Sequence, residues 1–489
     1  MSANPEHFVL VRLASELTLK SRRTRNQFMN RLRQNLQDAL RSGGIEHKIL
    51  EEWGRLYVRA SSPAAVPLIT RVFGISSVSA VEAVVPADPQ SIIPAAVQIF
   101  RSRVEGKRFA VRARRTGAHE FRSKDIEIEL GAALLPYAAR VDLSKPEVTV
   151  QVEVRANDAY LFSDRLDGTG GLPLGVEGRA ISLISGGYDS AVSSWLMLKR
   201  GVELDYVFCN LGGEAYERAV VQVAKAIADD WSYGTQPRLH VVDFDAPMRE
   251  LRSKVRQSYW QVVLKRMMYR ASSRIGEILG AHAIVTGEAI GQVSSQTLPN
   301  LRAIEPASSL PVFRPLLGFD KEEIIARARM IGTAALSEQV REYCAIAPGR
   351  PVTATTPERI AEEEVALDYS IVDAAVDTRK VLDLRALTPT DLVAPYVFTS
   401  EIPPDAIVYD CRPEAQYKAW HLPGAIQRDE WDLLREFKRF DRDRKYVLYC
   451  AHGLQTAHLA EKMQNHGYEA YSFRGGLKGV MRYAEQHGL

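Results

Sequence analysis

The sequence predicts a multidomain chain of α/β and α+β type whose central part is a doubly wound parallel sheet. At 489 residues the chain is too long for one ordinary domain, and 46% hydrophobic with 25% charged residues is typical of a globular protein. In the middle of the chain, strand-like apolar segments alternate with longer helical segments. That alternation predicts a parallel sheet with helices on both faces.

Charge and cysteine usage limit the classes of partner. Residues 1–165 carry 25 Lys and Arg against 18 Asp and Glu, although the net charge of the whole chain is only +3. A basic N-terminal third predicts a polyanionic partner. No apolar stretch has membrane-spanning length and the start lacks a signal-peptide pattern, so we expect no membrane partner and a cytoplasmic location. Four widely spaced cysteines fit neither a disulfide scaffold nor a zinc site, and no metal site is predicted.

The first 165 residues have an α+β pattern. Strands are predicted at 8–13, 53–59, 108–112 and 147–154, and helices at 25–42, 91–104 and 124–138. The Gly- and Pro-rich segment 167–175 ends this part, and a second break lies near 377–395. Between the breaks, strands are predicted at 180–184, 204–209, 239–242 and 283–286, and helices at 214–230 and 259–279.

Residues 185–190, Ser-Gly-Gly-Tyr-Asp-Ser, form the most informative motif. The motif lies between an apolar strand and a helical segment, and two glycines beside a helix start suit a phosphate group. Ser185 and Ser190 add hydroxyl donors. Without the Walker lysine, this is a phosphate loop of another kind. The alternative is a turn that binds nothing.

Basic residues form two clusters in the N-terminal third. Arginine and lysine clusters give nucleic-acid affinity through phosphate contacts, whereas the alternative is a solvated charged face. The candidate RNA-binding residues are Lys20, Arg22, Arg23, Arg25, Arg112, Arg114, Arg115 and Arg122.

Cys450 is the candidate nucleophile. It ends an apolar strand and opens a short loop before a helix, so the loop N–H groups and the helix start are expected to lower the thiol pKa and to stabilise a sulfur anion. The alternative is an inert buried cysteine. Cys209 and Cys411 are interpreted as core residues.

Several segments resemble known families. Residues 185–190 resemble the PP-loop of ATP pyrophosphatases, which transfer AMP to a substrate oxygen. Residues 109–121 resemble the THUMP domain of RNA-modifying enzymes, and residues 18–21 resemble the ferredoxin-like domain that precedes it in 4-thiouridine synthetases. The resemblance to the ThiI family of tRNA 4-thiouridine synthetases extends to 263–268, 284–298 and 311–321.

The last hundred residues resemble a rhodanese domain. The matching segments are 408–413, 421–425, 445–457 and 473–477. Leu454, Gln455 and Thr456 replace residues that many rhodanese loops carry, and Cys411 replaces a usual valine. The resemblance predicts a ferredoxin-like domain at 1–60, a THUMP domain at 61–166, a PP-loop domain at 176–375 and a rhodanese domain at 395–489.

The ThiI resemblance also implies functional residues. ATP contacts are implied for Leu183, Ile184, Ser185, Gly186, Gly187, Asp189, Ser190, Lys265, Gly287 and Gln296. Asp189 is expected either to hold Mg²⁺ with the nucleotide or to shape the loop. Cys450 is implied to carry a persulfide, and Cys344 to resolve it through a transient disulfide with Cys450.

The implied reaction adenylates the uridine at position eight of a tRNA and replaces O4 with sulfur, either by direct persulfide attack or through released sulfide. The implied partners are a tRNA, a cysteine desulfurase and a sulfur-carrier protein of thiazole synthesis, with a homodimer as a possibility. Two alternatives stay open: another PP-loop ligase, amide-forming or 2-thiolating, and an RNA-binding sulfur carrier with a decayed ATP site.

Overall fold

The computed structural model describes residues 7–52, 55–211, 213–338, 340, 350–392, 395–451 and 453–489. The chain divides into two compact units. One comprises Met1–Lys20 with Ala39–Gly170, and the other comprises Ser21–Asp38 with Gly171–Leu489. The described residues form four sheets, two in each unit. None of the helices in these described ranges is both long enough and apolar enough to span a bilayer.

The first sheet of the first unit has five antiparallel strands, and the central one is His7–Leu13. The other strands are His47–Glu52, Arg55–Ala60, Ile75–Val81 and Leu166–Gly170, and the short helices are Ser15–Thr18 and Ala65–Thr70. Ile75–Val81 pairs along the whole length of His7–Leu13, so the sheet extends past the boundary predicted at residue 60. This pairing joins distant segments, which local sequence patterns do not encode.

The second sheet of this unit packs against two helices, Pro89–Val104 and Ser123–Leu134. Its strands are Ala83–Pro86, Arg108–Thr116, Arg140–Val141, Val148–Arg155 and Asp158–Phe162. Both helices were predicted, and their apolar side chains, among them Phe100 and Ile126, form one core with strand residues such as Phe109. The arrangement confirms the α+β class of this part of the chain.

The larger sheet of the second unit has six strands and contains the phosphate-loop motif. Its strands are Arg179–Leu183, Glu203–Asn210, Arg238–Asp243, Ile284–Val285, Val312–Phe313 and Lys380–Asp383. Five are parallel, which confirms the predicted sheet type, and the edge strand Lys380–Asp383 is antiparallel. The helices are Tyr188–Lys199, Gly213–Trp231, Asp245–Lys254, Trp260–Leu279, Leu298–Ile304, Lys321–Ile331, Ala334–Ser337, Pro357–Glu364 and Ser370–Asp377.

The C-terminal sheet is fully parallel and has five strands. They are Phe398–Thr399, Ile407–Asp410, Ile426–Gln427, Lys445–Tyr449 and Glu469–Phe473. The helices are Pro389–Leu392, Glu414–Ala419, Glu430–Glu436, Leu454–Asn465 and Gly476–His487. Gln455 donates a hydrogen bond of 2.8 Å to the Gly332 carbonyl, which ties this sheet's helix to the preceding part of the same unit.

The helix Arg22–Ser42 contributes its first turns to the second unit. Arg31 and Asn35 donate hydrogen bonds of 2.7 Å and 3.0 Å to the Leu174 carbonyl. Asp38 accepts the Gly234 N–H at 2.7 Å and pairs with Arg385 at 2.5 Å. The side chains of this segment therefore satisfy backbone polar groups of the unit that contains the phosphate loop.

Arg12 and Glu153 form a buried ion pair that joins the two sheets of the first unit. They are 4% and 3% exposed, and Arg12 donates to Glu153 Oε2 at 3.0 Å. Arg155 donates to the same carboxylate at 2.7 Å. Burial alone would raise the pKa of Glu153, but Arg12, Arg155 and Arg55 lower that pKa by more than burial raises it. The carboxyl pKa therefore lies below its ordinary value.

We expect Glu153→Gln to destabilise the first unit by about 3 kcal/mol, because it leaves the Arg12 guanidinium buried without a counter-charge. Hydrogen exchange of His7–Leu13 and Val148–Arg155 in urea measures this loss. Lys124→Ala removes an exposed partner of Glu127 and is the control, with an expected effect below about 0.5 kcal/mol. Equal effects of the two variants would contradict the structural role of the buried pair.

Candidate active site

A cavity of about 760 Å³ lies at the carboxyl ends of the parallel strands in the second unit. Ligands of open parallel sheets bind at this edge. Nine of the ten residues predicted to contact ATP line the cavity: Leu183, Ile184, Ser185, Gly187, Asp189, Ser190, Lys265, Gly287 and Gln296. The tenth, Gly186, lies in the loop and is buried. Residues separated by about a hundred positions in sequence therefore lie around one cavity.

The loop 185–190 is shaped by its own hydrogen bonds. Ser190 Oγ accepts the Ser185 N–H at 3.2 Å and donates to the Gly187 carbonyl at 3.0 Å. Gly187 is the N-cap of the helix Tyr188–Lys199, so the first N–H groups of that helix face the loop. Gly186 has a φ of +78°, which favours glycine. The loop thus presents backbone donors suited to an anion.

Gly287 allows a second loop to contact the backbone of the first. A Cβ atom on Gly287 would lie 2.6 Å from the carbonyl carbon of Asp189 and from the nitrogen of Ser190. Backbone atoms cannot move aside as a flexible side chain can. Glycine is therefore required for this close approach.

Two lysines bring positive charge to the cavity. Lys321 Nζ lies 3.0 Å and 3.2 Å from the two carboxylate oxygens of Asp189. Lys265 lies 3.4 Å from Glu288. The sequence predicts a role for Lys265 but assigns none to Lys321, although Lys321 ends the ThiI-like segment 311–321. Its position as the first residue of the helix Lys321–Ile331 is the signal that could have identified it.

Glu288 is the centre of a buried polar network that sequence reasoning missed. Its carboxylate accepts hydrogen bonds from Tyr269 at 2.6 Å, Thr286 at 3.1 Å and Arg314 at 2.9 Å. Burial would raise the pKa of Glu288, but Lys265, Tyr269 and Arg314 lower it more, so the pKa lies below its ordinary value. The ionised carboxylate therefore holds the Lys265 ammonium at the cavity wall.

The cavity has an apolar half and a polar half. Its apolar lining includes Phe208, Leu211, Leu264 and Met268, together with the buried Cys209, whose thiol pKa burial raises. A flat aromatic base fits the apolar side, and phosphates fit the loop and the lysines. The residues present therefore fit a nucleoside triphosphate. Within the described ranges, no group of three or more His, Cys, Asp or Glu could hold a metal ion.

Cys450 lies at the end of the strand Lys445–Tyr449 and is 2% exposed. Its sulfur accepts hydrogen bonds from the Gly453 N–H at 3.2 Å and from Thr456 Oγ at 3.5 Å. Burial raises the pKa of the Cys450 thiol, and these hydrogen bonds offset only part of that rise. The expectation of a lowered thiol pKa is therefore wrong, because desolvation outweighs the loop donors. The other predicted catalytic cysteine, Cys344, lies outside the described residues.

The predicted RNA-binding residues lie at several places. Arg22, Arg23 and Arg25 are exposed on the helix Arg22–Ser42, and Lys20 is exposed just before it. The other four lie on or after the strand Arg108–Thr116, and two of these are held by backbone carbonyls: Arg112 donates to Leu143, and Arg115 to Gly117. Arg114 and Arg122 are exposed.

The domains match known family models in the order that the sequence predicts. The ThiI ferredoxin-like domain matches residues 8–79, and the THUMP domain matches 86–164. The model described as "Thiamine biosynthesis protein (ThiI)" matches 175–369, and the rhodanese-like domain matches 400–482. Fold, cavity and family models thus define an enzyme of the PP-loop class that carries ferredoxin-like, THUMP and rhodanese domains.

Similarity to known proteins over nearly the whole chain identifies the family. Two proteins named tRNA sulfurtransferase, from Desulfurococcus amylolyticus and Pyrobaculum aerophilum, are 39% and 37% identical, covering 96% and 95% of this chain and 97% and 96% of theirs. A crystal structure described as a 4-thiouridine synthetase–RNA complex with bound ATP is 32% identical with a TM-score of 0.68, covering 77% of this chain and 99% of its own. The chain belongs to the tRNA sulfurtransferase (ThiI) family, which confirms the predicted family and enzyme class.

We expect Gly287→Ala to weaken ATP binding at least about tenfold, because the added methyl group forces the two loops apart. Titration calorimetry with ATP measures the loss. Gly318→Ala is the matched control, since open space surrounds that position, and it should change the affinity by less than about twofold. Unchanged affinity in Gly287→Ala would show that the close contact is not needed for the site.

We expect Thr456→Val to raise the pH midpoint of Cys450 alkylation by about half a unit to one unit. The valine removes a hydrogen bond that stabilises the thiolate, so the thiol holds its proton to higher pH. Mass spectrometry of the Cys450 peptide after pulses of iodoacetamide gives the profile. Thr456→Ser keeps the hydroxyl and should restore the wild-type midpoint, whereas a midpoint that falls in Thr456→Val would contradict the assignment.

Proposed function

We propose that the protein is an ATP-dependent tRNA sulfurtransferase that converts the uridine at position eight of a tRNA to 4-thiouridine. The observation that carries this proposal is that nine residues predicted to contact ATP line one cavity, in the same compact unit as Cys450. An activation site and a sulfur-carrying thiol are the two parts that replacement of a base oxygen by sulfur requires. The relatives named tRNA sulfurtransferase support the same reaction.

ATP would occupy the cavity with its phosphates on the loop 185–190 and its base against the apolar lining. The uridine O4 would take the AMP group, which makes the oxygen a leaving group and releases pyrophosphate. Lys265 and Lys321 would balance the phosphate charge. Asp189 would hold Mg²⁺ with the nucleotide, since such ions bind through one or two carboxylates and the phosphates. Lys321 now pairs with this carboxylate, so its ammonium would move to the phosphates when the ion binds.

Cys450 would receive sulfur from a cysteine desulfurase and hold it as a persulfide. The Gly453 N–H and the Thr456 hydroxyl would stabilise the anion. The persulfide would then attack the activated base directly or release sulfide that does so, with AMP as the leaving group. Cys344 would form a disulfide with Cys450 and an external thiol reductant would reopen it.

The exposed arginines of the N-terminal domains would bind the tRNA backbone, with affinity that falls as salt rises. A tRNA substrate and ATP would support a cytoplasmic location. Transfer of the same sulfur to a sulfur-carrier protein of thiazole synthesis, and assembly as a homodimer, complete the proposal. The match to the model described as "Thiamine biosynthesis protein (ThiI)" supports the former.

We expect Cys450→Ala to abolish 4-thiouridine formation while keeping ATP affinity, because the variant loses the sulfur carrier and nothing that lines the cavity. Asp189→Ala should lower tRNA-dependent pyrophosphate release at least about a hundredfold, since it removes the carboxylate that would hold Mg²⁺ with the nucleotide. Purified unmodified tRNA, ATP, cysteine and a cysteine desulfurase, with nucleoside mass spectrometry, provide the assay.

Glu414→Gln alters an exposed pair with Lys418 and is the control, with unchanged thiolation expected. Full thiolation by Cys450→Ala would exclude the relay through this thiol. A 2-thiolated nucleoside in the wild-type reaction would instead support another PP-loop ligase, and the absence of tRNA-dependent pyrophosphate release would support a sulfur carrier without ATPase activity.

A further inference from the structure

Cys411 and Cys450 are opposite each other at the carboxyl ends of two neighbouring strands. The parallel strands Ile407–Asp410 and Lys445–Tyr449 pair in register up to Asp410 and Tyr449. The Cys411 N–H donates to the Tyr449 carbonyl at 2.8 Å, which completes the Asp410–Tyr449 pair, and Cys411 and Cys450 are the next residues along the two chains. Opposed residues on neighbouring strands have Cα atoms about 5 Å apart, within the range of a disulfide.

Cys411, Cys450 and the nearby Glu430 are buried in the rhodanese domain, and we call their surroundings the sulfur pocket. Cys411 is 6% exposed, Cys450 is 2% exposed, and each is a free thiol. Burial and the neighbouring Cys450 raise the pKa of Cys411, as do the nearby carboxyl groups Glu430, Asp410 and Asp429. Cys411 therefore stays protonated, whereas Cys450 has the two hydrogen-bond donors that favour its anion.

Besides burial, the Glu430 carboxyl raises the pKa of both thiols. It is 7% exposed, and its Oε1 has no hydrogen-bond partner in the described part of the chain. Burial and the nearby Asp429 and Asp230 raise the pKa of Glu430 to about 8. A neutral carboxyl at pH 7 does not repel a persulfide anion on Cys450, so the pocket is compatible with sulfur in this form.

We propose that Cys411 is a second resolving thiol, which discharges the Cys450 persulfide by forming a Cys411–Cys450 disulfide inside the rhodanese domain. This inference rests on the proposed function, because it requires the persulfide on Cys450. It adds a route that does not need Cys344. The usual valine of rhodanese domains at this position cannot perform the step, so the route belongs to this chain.

The proposed step balances without another reactant. The Cys411 sulfur attacks Cys450 Sγ, a bond forms between these two atoms, and the bond between Cys450 Sγ and the terminal sulfur breaks. The terminal sulfur leaves as hydrosulfide and takes the Cys411 proton. It gains the two electrons that the two cysteine sulfurs lose on becoming a disulfide. An external thiol reductant then reopens the disulfide.

The test follows the persulfide in Cys344→Ser protein, which lacks the other resolving thiol. The full-length protein is loaded with glutathione persulfide, desalted and left without reductant. Non-reducing peptide mapping should first show the persulfide on Cys450. It should then show a peptide that links Cys411 to Cys450, with one hydrosulfide released for each link. In Cys344→Ser with Cys411→Val, persulfide decay should be at least about tenfold slower.

A second variant and a control thiol guard against misfolding and non-specific oxidation, and two outcomes separate the failure of each proposal. Cys411→Ala repeats the comparison in case valine perturbs the fold, and Cys209, the remaining buried thiol, should stay free in every sample. Absence of persulfide on Cys450 after loading would overturn the proposed function. A persulfide that forms but decays equally fast with and without Cys411, with no linked peptide, would overturn the second resolving thiol and leave the proposed function intact.

Discussion

Parallel pairing of Arg179–Leu183 with Ile284–Val285 is the constraint on which the nucleotide site depends. Because the two strands run in the same direction, the loops that follow them leave the sheet at the same edge. Gly287 then lets its loop lie against the backbone of Asp189 and Ser190, so that both loops line the same cavity. In the C-terminal sheet, Cys450 likewise lies at the carboxyl end of a parallel strand, Lys445–Tyr449.

Two buried carboxyl groups show how the surroundings of each site suit its chemistry. Glu288 lies among Lys265, Tyr269 and Arg314, which hold its pKa below the ordinary value and keep it ionised. Glu430 lies near Asp429 and Asp230, and its pKa of about 8 leaves it mostly protonated at pH 7. The nucleotide cavity therefore keeps the Lys265 ammonium in place where a polyanion would bind. In the sulfur pocket, the protonated Glu430 carboxyl does not repel a sulfur anion.

The sequence predicted most of the fold but only part of each site. Strand and helix patterns are local, so alternation and motif order were enough for the class of each domain. The nine cavity residues were implied by the resemblance to the PP-loop and ThiI families. Glu288, Tyr269 and Arg314 belong to three separate segments, and only their meeting in space reveals a network. The opposition of Cys411 and Cys450 depends on strand register, and the raised pKa of Cys450 depends on burial. Neither register nor burial can be derived from a motif.

The helix Arg22–Ser42 limits where the chain can be cut if the ATP-binding unit is to stay whole. Its segment Ser21–Asp38 groups with the ATP-binding unit, while its last residues group with the other unit. A polypeptide that began at Gly171 would lack Arg31 and Asn35, which donate hydrogen bonds to the Leu174 carbonyl. It would also lack Asp38, which binds the Gly234 N–H and Arg385. One border between the units thus falls within this helix, and another falls in the Gly- and Pro-rich segment 167–175. Gene fusion or excision at a linker would not transfer the ATP-binding body intact, and the arginine-rich helix has to be inherited with it.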